Sequence, residues 1–552
     1  MHDVIARGPV VWQRYWNTVL RLRDKQLLAL VLLVLAGSAV YYVSTKLNKM
    51  LAGSYAPAIL SINVIMLGAA AAVATWHREA RYAEIWRPLH ILMRGAGAVI
   101  FAQICFDAFD PGAMTSNVIM GTDPLARLIV GFALLCGGLA ISRPAFLLPM
   151  GLAYIQFRFG VPKLFGMGAT SLDFLTLNDV ATFGAMSLIG WRTVERHVGL
   201  VPWPVLREVV ECPSSYGIFQ RLIWGVCVGA HLGNYFHSGL AKLMVGLPNP
   251  FFWIVENPTA QSIAIGLHRF NAPLAAWPEL LQSYHDLLSN FVIPFNIAVF
   301  FIQLLAPLAI VKRRLLIVVT LFFDAMHIGI YFSLGAFFFF WVALNVVILL
   351  SLKAMKDADL TPALKITVVL TAVFGHFTFS TAQLGWMDGK KLVRELFYAN
   401  TEDGRRVLVP PATFGLFSYQ IAHGDLYVPE GHFRMRMGGN ATRADWSDVS
   451  TCGPQTVTNQ VYVKSVDSIR DMVIATDTYF RHHPWVRDFQ LYYVYPHHTP
   501  SNPVFFADYA ATPLEKIRSY TYVVESACIG VSDGKLDNQV KVRSEYTFDV
   551  DR

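Results

Sequence analysis

Charged side chains are what this sequence has least of. Asp, Glu, Lys and Arg together make up 15% of its 552 residues, where soluble domains carry about 25%. Apolar residues take their place, at 54% with a mean hydropathy of +0.43. That balance argues against an ordinary soluble enzyme, a disordered scaffold and a nucleic-acid-binding protein. Cysteine is scarce as well: there are six, four of them in or beside apolar runs. No cleavable signal peptide is apparent. The segment before Gln26 is polar and basic, and Leu27–Ser44 lacks a convincing small-residue cleavage site, so it reads as a retained first span. An internal repeat is also missing, which disfavours a repeat-built transporter.

What the sequence does have is a series of apolar runs long enough to cross a bilayer, which takes roughly 17–25 helical residues. Nine are clear: Leu27–Ser44, Ala56–Trp76, Leu89–Phe106, Leu125–Ile141, Tyr216–Gly239, Phe291–Val311, Leu315–Tyr331, Ala336–Leu352 and Ala363–Gln383. Two are weaker, Ala145–Phe157 being short and Ala169–Trp191 containing Asp173 and Asp179. The expected fold is therefore a polytopic all-α membrane domain of about 9–11 transmembrane helices, followed by an extracytoplasmic α+β domain.

Charge fixes the expected orientation. The formal net charge of +7 is uneven: residues 386–552 hold 20 acidic and 18 basic residues, whereas residues 1–385 hold 27 basic and 18 acidic ones. Cytoplasmic loops carry the Lys/Arg excess. Counting eleven spans puts every basic cluster on one side: Arg14, Arg21, Arg23 and Lys25; Arg78, Arg81 and Arg87; Arg143; Arg192, Arg196 and Arg207; Lys312, Arg313 and Arg314; Lys353 and Lys356. The N-terminus then lies inside and the C-terminal region outside. Within the arm of residues 1–26, Trp12, Tyr15, Trp16, Val19 and Leu20 interleave with arginines. Their helical spacing suits a helix in the lipid headgroups or a solvated cap on the first span.

Residues 27–385 form the multi-span domain, and from Trp386 the composition turns polar with turn signals such as Asp403-Gly404 and Asp533-Gly534. Alternation of Val540, Val542, Tyr546, Phe548 and Val550 predicts a half-buried strand. Val457–Val463 and Gln490–Val494 also favour strands, and Ser468–Tyr479 places Ile469, Met472, Val473 and Tyr479 on one helical face. Cys452 and Cys528 lie here. Outside the cytoplasm such a pair is able to form a disulfide, although two cysteines do not establish one. Asn440-Ala441-Thr442 is a glycosylation sequon only in a eukaryotic source. His482-His483 and His497-His498 suggest a metal. If Pro484–Pro496 is extended, however, the pairs stand about 45 Å apart, so no shared metal is expected.

Ionisable residues inside spans are costly and mark interiors or cavities. Two segments hold several. In the first, His231, Asn234, Tyr235, Ser238 and Lys242 recur at steps of three or four and line one helical stripe, with Gly233 and Gly239 allowing close approach. Lys242 is either a residue snorkelling from a helix end or a lysine buried to serve as a neutral base. In the second, Thr320, Asp324, His327 and Tyr331 form another stripe, where Asp324 and His327 make a carboxylate–imidazole pair or a structural ion pair. His376 reads as a core histidine.

Tyr235-Phe236-His237-Ser238-Gly239-Leu240-Ala241-Lys242-Leu243 resembles the Tyr-Phe-x-Ala-Gly-x-x-Lys-Leu stretch of the vitamin K-dependent γ-carboxylase family. Its bacterial relatives are the horizontally transferred transmembrane (HTTM) domain proteins. Met326-His327 with Phe332-Ser333-Leu334-Gly335 is similar to the family's later Phe-His … Phe-Ser-x-Gly helix, with two fewer residues between. The resemblance covers Leu89 to about Leu352. It implies that Lys242 is the base toward a reduced, vitamin K-like quinone, with O2 and CO2 as co-substrates and no metal. Asp324 and His327 would then orient the quinol or relay protons. His231, Asn234, Tyr235, Ser238 and Tyr331 would bind the cofactor. The 247–284 loop, with Trp253, Glu256, His268, Arg269 and Trp277, would be a lid. Three features depart from the family pattern: Asn178-Asp179 stands where the family has Asn-His, the doubled lysine is Ala241-Lys242, and the following aromatic is displaced to Trp253. They bear on glutamate carboxylation more than on the lysine base.

Expected partners are the lipid bilayer and a protein or peptide at the extracytoplasmic face. Two other readings compete. One is a non-catalytic membrane subunit that binds a lipid, quinone or partner and displays its C-terminal domain, the polar stripes being interhelical glue. The other is a haem- or quinone-binding redox subunit using His231, His237, His327 and His376.

Overall fold

A computed structural model of the protein describes residues 22–51, 57–77, 81–109, 118–119, 121, 123–160, 172–200, 204–414, 427, 429, 431–432, 450–452, 465–490 and 501–550. The basic arm, the sequon, Val457–Val463, residues 491–494 and His497-His498 lie outside the described residues.

Each apolar run contains a helix. In chain order they are α1 (Leu22–Leu51), α2 (Pro57–Trp76), α3 (Arg87–Phe109), α4 (Asp123–Ala140), α5 (Leu147–Gly160), α6 (Leu172–Arg196), the short α7 (Pro204–Glu211) and α8 (Pro213–Val245). Four more follow: α9 (Phe252–Glu256), α10 (Gln261–His268), α11 (Pro278–Asn290) and α12 (Val292–Leu304). The last three are α13 (Arg313–Leu334), α14 (Phe339–Ala354) and α15 (Pro362–Phe374). Proline opens α8, α11 and α15, where its fixed φ suits the first turn and its missing N–H is not needed. Gly335 closes α13 at φ 77°, and a Cβ there would stand 2.2 Å from the Asn271 carbonyl oxygen. Only glycine meets both demands.

Four of these helices are long and apolar enough to cross a membrane: Gln26–Met50 within α1, then α3, α4 and α13. Counting the α11–α12 pair, bent by 71°, as one span makes a fifth. Two expected spans are less regular than their hydropathy suggests. Phe291–Val311 is α12 followed by a 3-10 turn at Ala306–Val311, because Pro307 interrupts the α-helical hydrogen bonding. Ala363–Gln383 is helical only through the 3-10 turn Gly375–Phe377, beyond which the backbone is irregular.

The polar part is built on a four-stranded antiparallel sheet of β1 (Lys391–Thr401), β2 (Arg406–Val409), β3 (Ile517–Ser532) and β4 (Lys535–Asp549), ordered β2-β1-β3-β4. Asp533-Gly534 turns β3 into β4, which alternates as expected through Val542, Tyr546 and Phe548, whereas Val540, beside a shift of register, is exposed. A helix, α16 (Val466–His482), lays Ile469, Met472 and Val473 on the sheet's core as its periodicity predicts, with Phe480 as a fourth buried apolar residue and the expected Tyr479 only half-buried. The Pro484–Pro496 tract departs from the extended conformation expected of it. Its first half is a helix, α17 (Pro484–Gln490), with proline at the favoured first position. His482 and His483 each bond a backbone carbonyl four residues earlier, at Thr478 and Tyr479. Cys452 and Cys528 form a disulfide.

The sheet docks on the segment expected to be a lid. Gln261 donates to the Ile529 carbonyl at 2.9 Å, Asn502 to the Ala272 carbonyl at 2.7 Å, and the Gly534 N–H to Gln282 at 2.7 Å. Ala264, Ile265, Leu334 and Ala336 share an apolar cluster with Leu392, Ala527 and Ile529. Residues 247–284 are thus a helical platform wedged between the two parts.

Candidate functional site

The stripe on α8 is buried along its whole length, from His231 at 0% exposure to Lys242 at 4%. It divides between two sets of partners about 16 Å apart at its extremes, given 1.5 Å of rise per residue.

The first set centres on Asn345 of α14. Its Oδ1 meets His231 Nε2 at 2.7 Å, while its Nδ2 donates to the Tyr235 hydroxyl at 3.1 Å and to Asp324 Oδ1 at 2.8 Å. Tyr235 stacks on Phe323 with centroids 3.5 Å apart, and the His327 ring stands 5.8 Å from Tyr235 and 5.5 Å from Trp341. His231, Tyr235, Asp324 and His327 are therefore brought together. The carboxylate of Asp324 turns to Asn345. Tyr331 stays apart among Phe332 and Phe337. His231 Nδ1 is buried without a hydrogen bond among the described residues.

The second set is the irregular chain after α15, which runs along α8 as a strap. Asn234 Oδ1 accepts the Ala382 N–H at 2.8 Å and Ser238 Oγ the Leu384 N–H at 3.2 Å. Asp179 Oδ2 takes the Ser380 N–H at 2.7 Å, its other oxygen accepting from the Tyr41 hydroxyl at 2.6 Å. Backbone without secondary structure survives in an apolar surrounding only when side chains satisfy it in this way. Asn234 and Ser238 are thus committed to the strap, and so is Asp179. Neighbouring Asn178 is buried, its amide unbonded among the described residues.

Lys242 ends the stripe. Its Nζ donates to the Leu384 carbonyl at 2.8 Å and to Ser238 O at 3.5 Å, and lies 5.1 Å from the centroid of the Trp253 ring. Trp253, eleven residues further along the chain, thus covers the lysine in space. Trp253 Nε1 donates to Trp386 O at 2.5 Å, Trp386 Nε1 to Asp388 Oδ1 at 2.7 Å, and Asn257 Nδ2 to Asp388 Oδ2 at 3.4 Å. Val245, Phe252, Ile254, Phe300 and Met387 complete an apolar wall with Trp253. Burial pushes the Asp388 carboxyl up to about 7, with the Trp386 and Asn257 bonds and the Lys242 charge opposing it.

Where α10 meets β1, His268 is fully buried with neither ring nitrogen hydrogen-bonded among the described residues. Burial first, then the charges of Arg394 and Arg269, hold its pKa well below the usual range. Arg394 pairs with Glu525 at 2.7 Å and sits over the Phe270 ring.

Asn345 and Asp388 escaped sequence reading. A lone asparagine in an apolar run was a usable signal for the first; the second lies in a stretch without periodicity. Among the histidines suggested for haem, His237 and His376 have ring centroids 4.4 Å apart, each bonding the Val373 carbonyl. Among the described residues no group of three or more His, Cys, Asp and Glu side chains is arranged to hold a metal. Comparison with protein-family models, curated proteins and solved structures returns no match.

Proposed function

We propose that this chain is an integral membrane enzyme of the vitamin K-dependent carboxylase type, with Lys242 as the base toward a reduced quinone. The observation that carries the reading is the state of Lys242. It is buried, its hydrogen bonds among the described residues go to backbone carbonyls, and the Trp253 indole covers it. An amine so placed has little to gain from a charge and is suited to take a proton. The residues around Lys242 suit a quinol ring: the wall formed with Trp253 is apolar, and the amine is the polar group beside it. Such a cofactor, when bound, supplies with O2 the base strength that no side chain has, and CO2 is the electrophile.

Lys242 would take the hydroxyl proton of a quinol seated against Trp253, while His231, Tyr235, Asp324 and Asn345 form a separate polar network further along α8. Trp253, Trp386 and Met387 keep water from the reacting groups. The fuller membrane reading belongs here too: up to eleven spans, the N-terminus cytoplasmic and the sheet outside, supported by the basic clusters.

Lys242→Ala in folded protein is expected to cut quinol-dependent oxygen uptake by at least about 100-fold, the usual scale for losing a general base. Uptake that persists would falsify the enzymatic reading. A second reading, a non-catalytic subunit presenting its C-terminal domain, draws on Asn234 and Ser238, which spend their oxygens on the strap. It expects partner binding to survive Lys242→Ala and no quinone to co-purify.

A further inference from the structure

Among the described residues Asp388 is the carboxyl group whose charge couples to Lys242, and nothing in the lysine stretch announces it. It sits 3% exposed where the strap turns toward β1, four residues past the carbonyl that Lys242 holds. Trp386 Nε1 and Asn257 Nδ2 donate to its two oxygens, and its own N–H donates to Asn257 Oδ1 at 2.9 Å. Trp253 covers Lys242 and bonds the Trp386 carbonyl, so two indoles link the amine to the carboxyl. The groups facing Asp388 are Lys242 from α8, Asn257 from the α9–α10 turn and Trp386 from the strap. Glu256 and Lys390 nearby are exposed, and Lys391 is buried at the start of β1.

Two opposite charges buried near each other, each hydrogen-bonded to neutral groups, recover little of their desolvation cost. The neutral pair avoids that cost. Passing one proton from Nζ to the carboxylate breaks an N–H bond, forms an O–H bond and leaves the net charge unchanged. The amine retains an N–H for the Leu384 carbonyl, and the acid retains an acceptor oxygen for the Trp386 indole. We propose that Asp388 is the proton partner of Lys242, a positioning residue that holds the proton while the lysine stands as a free amine. The proposal rests on the reading of Lys242 as a base.

The test is pulse acylation of Lys242 by acetic anhydride in full-length protein in detergent, mapped by peptide mass spectrometry. Carboxylate charge near an amine suppresses its reactive neutral form. Below about pH 7, where Asp388 holds its proton, wild type and Asp388→Asn should label alike. Above it, Asp388→Asn should label about three- to tenfold faster, tenfold being one pK unit, and Asp388→Glu should follow wild type. A labelling ratio that stays constant across pH, or a glutamate variant that behaves like asparagine, overturns the proposal. Should Asp388→Asn fail to fold, Trp386→Phe removes one donor to the carboxylate and is expected to move the onset of suppression to higher pH. An unchanged onset counts against the pair. Labelling that reveals the pair while Lys242→Ala keeps quinol-dependent oxygen uptake sinks the enzymatic reading alone. A constant ratio with activity lost on Lys242→Ala sinks the pair alone.

Discussion

A carboxyl group held near neutrality makes stability depend on pH, and Asp388 fixes the sign. Its ordinary value is 3.8 and its folded value about 7, so between these the folded protein holds a proton that the unfolded chain has released. Stability from this group is complete below about pH 4 and falls as pH rises, the loss being finished above about 7. At about 1.4 kcal/mol per unit the window spans a few kcal/mol. Asp388→Asn, which mimics the protonated acid, should melt close to wild type at acid pH and above it at alkaline pH in detergent. Parallel melting curves at both would show that Asp388 is not a buried neutral acid. The lysine was legible in the sequence because it recurs on a helical stripe. Asp388 was not, since its importance comes from Trp386 and from Asn257, 131 residues away in sequence, and no period connects them. His268 was visible only as a member of a loop. Its two orphaned nitrogens appear once Arg394 of β1 is placed beside it.

Among elements, the helices were legible and the way they end was not. Leu89–Phe106, Leu125–Ile141 and Leu315–Tyr331 match α3, α4 and α13 to within a few residues, because an apolar run in a membrane has no other way to satisfy its backbone. The strap contradicts the hydropathy of Ala363–Gln383, since side chains of α6 and α8 replace the helical hydrogen bonds there. The polar stripe of α8 therefore grips a chain segment, and its small residues let neighbouring helices approach. A Cβ on Gly239 would stand 2.7 Å from Leu304 N and 3.0 Å from Leu304 Cα, both backbone atoms that cannot step aside. Gly239→Ala should push α8 from α12 and cost about 1–3 kcal/mol, the usual price of overpacking, lowering the melting temperature. On α4, Gly138→Ala meets nothing within 4 Å and serves as the control. Equal melting of the two variants would mean that α8 and α12 are not in such contact.

At the scale of the molecule, composition suggested two unlike parts, yet the parts share more than a boundary. Strand β1 begins seven residues after the carbonyl that Lys242 holds. The same strand pairs with both β2 and β3, while β3 receives Gln261 from the helical platform. A sheet anchored in this way is a continuation of the membrane part, and its removal would strip the lysine's surroundings. Cutting the chain at the exposed Asp403-Gly404 turn, through an inserted protease site, tests this. Cleavage leaves β1 with the helices and β2, β3 and β4 with the other fragment. The Cys452–Cys528 disulfide lies wholly within that second fragment, so no covalent bond joins the pieces. The β1–β3 ladder runs from Lys391↔Cys528 to Thr401↔Ile517, and with the shared apolar cluster it should keep them together. The fragments are expected to co-elute in detergent by size exclusion and to separate only in denaturant. Release of the 404–552 piece under native conditions would make the sheet a pendant module, and the coupling of β1 to Lys242 would then have to be abandoned.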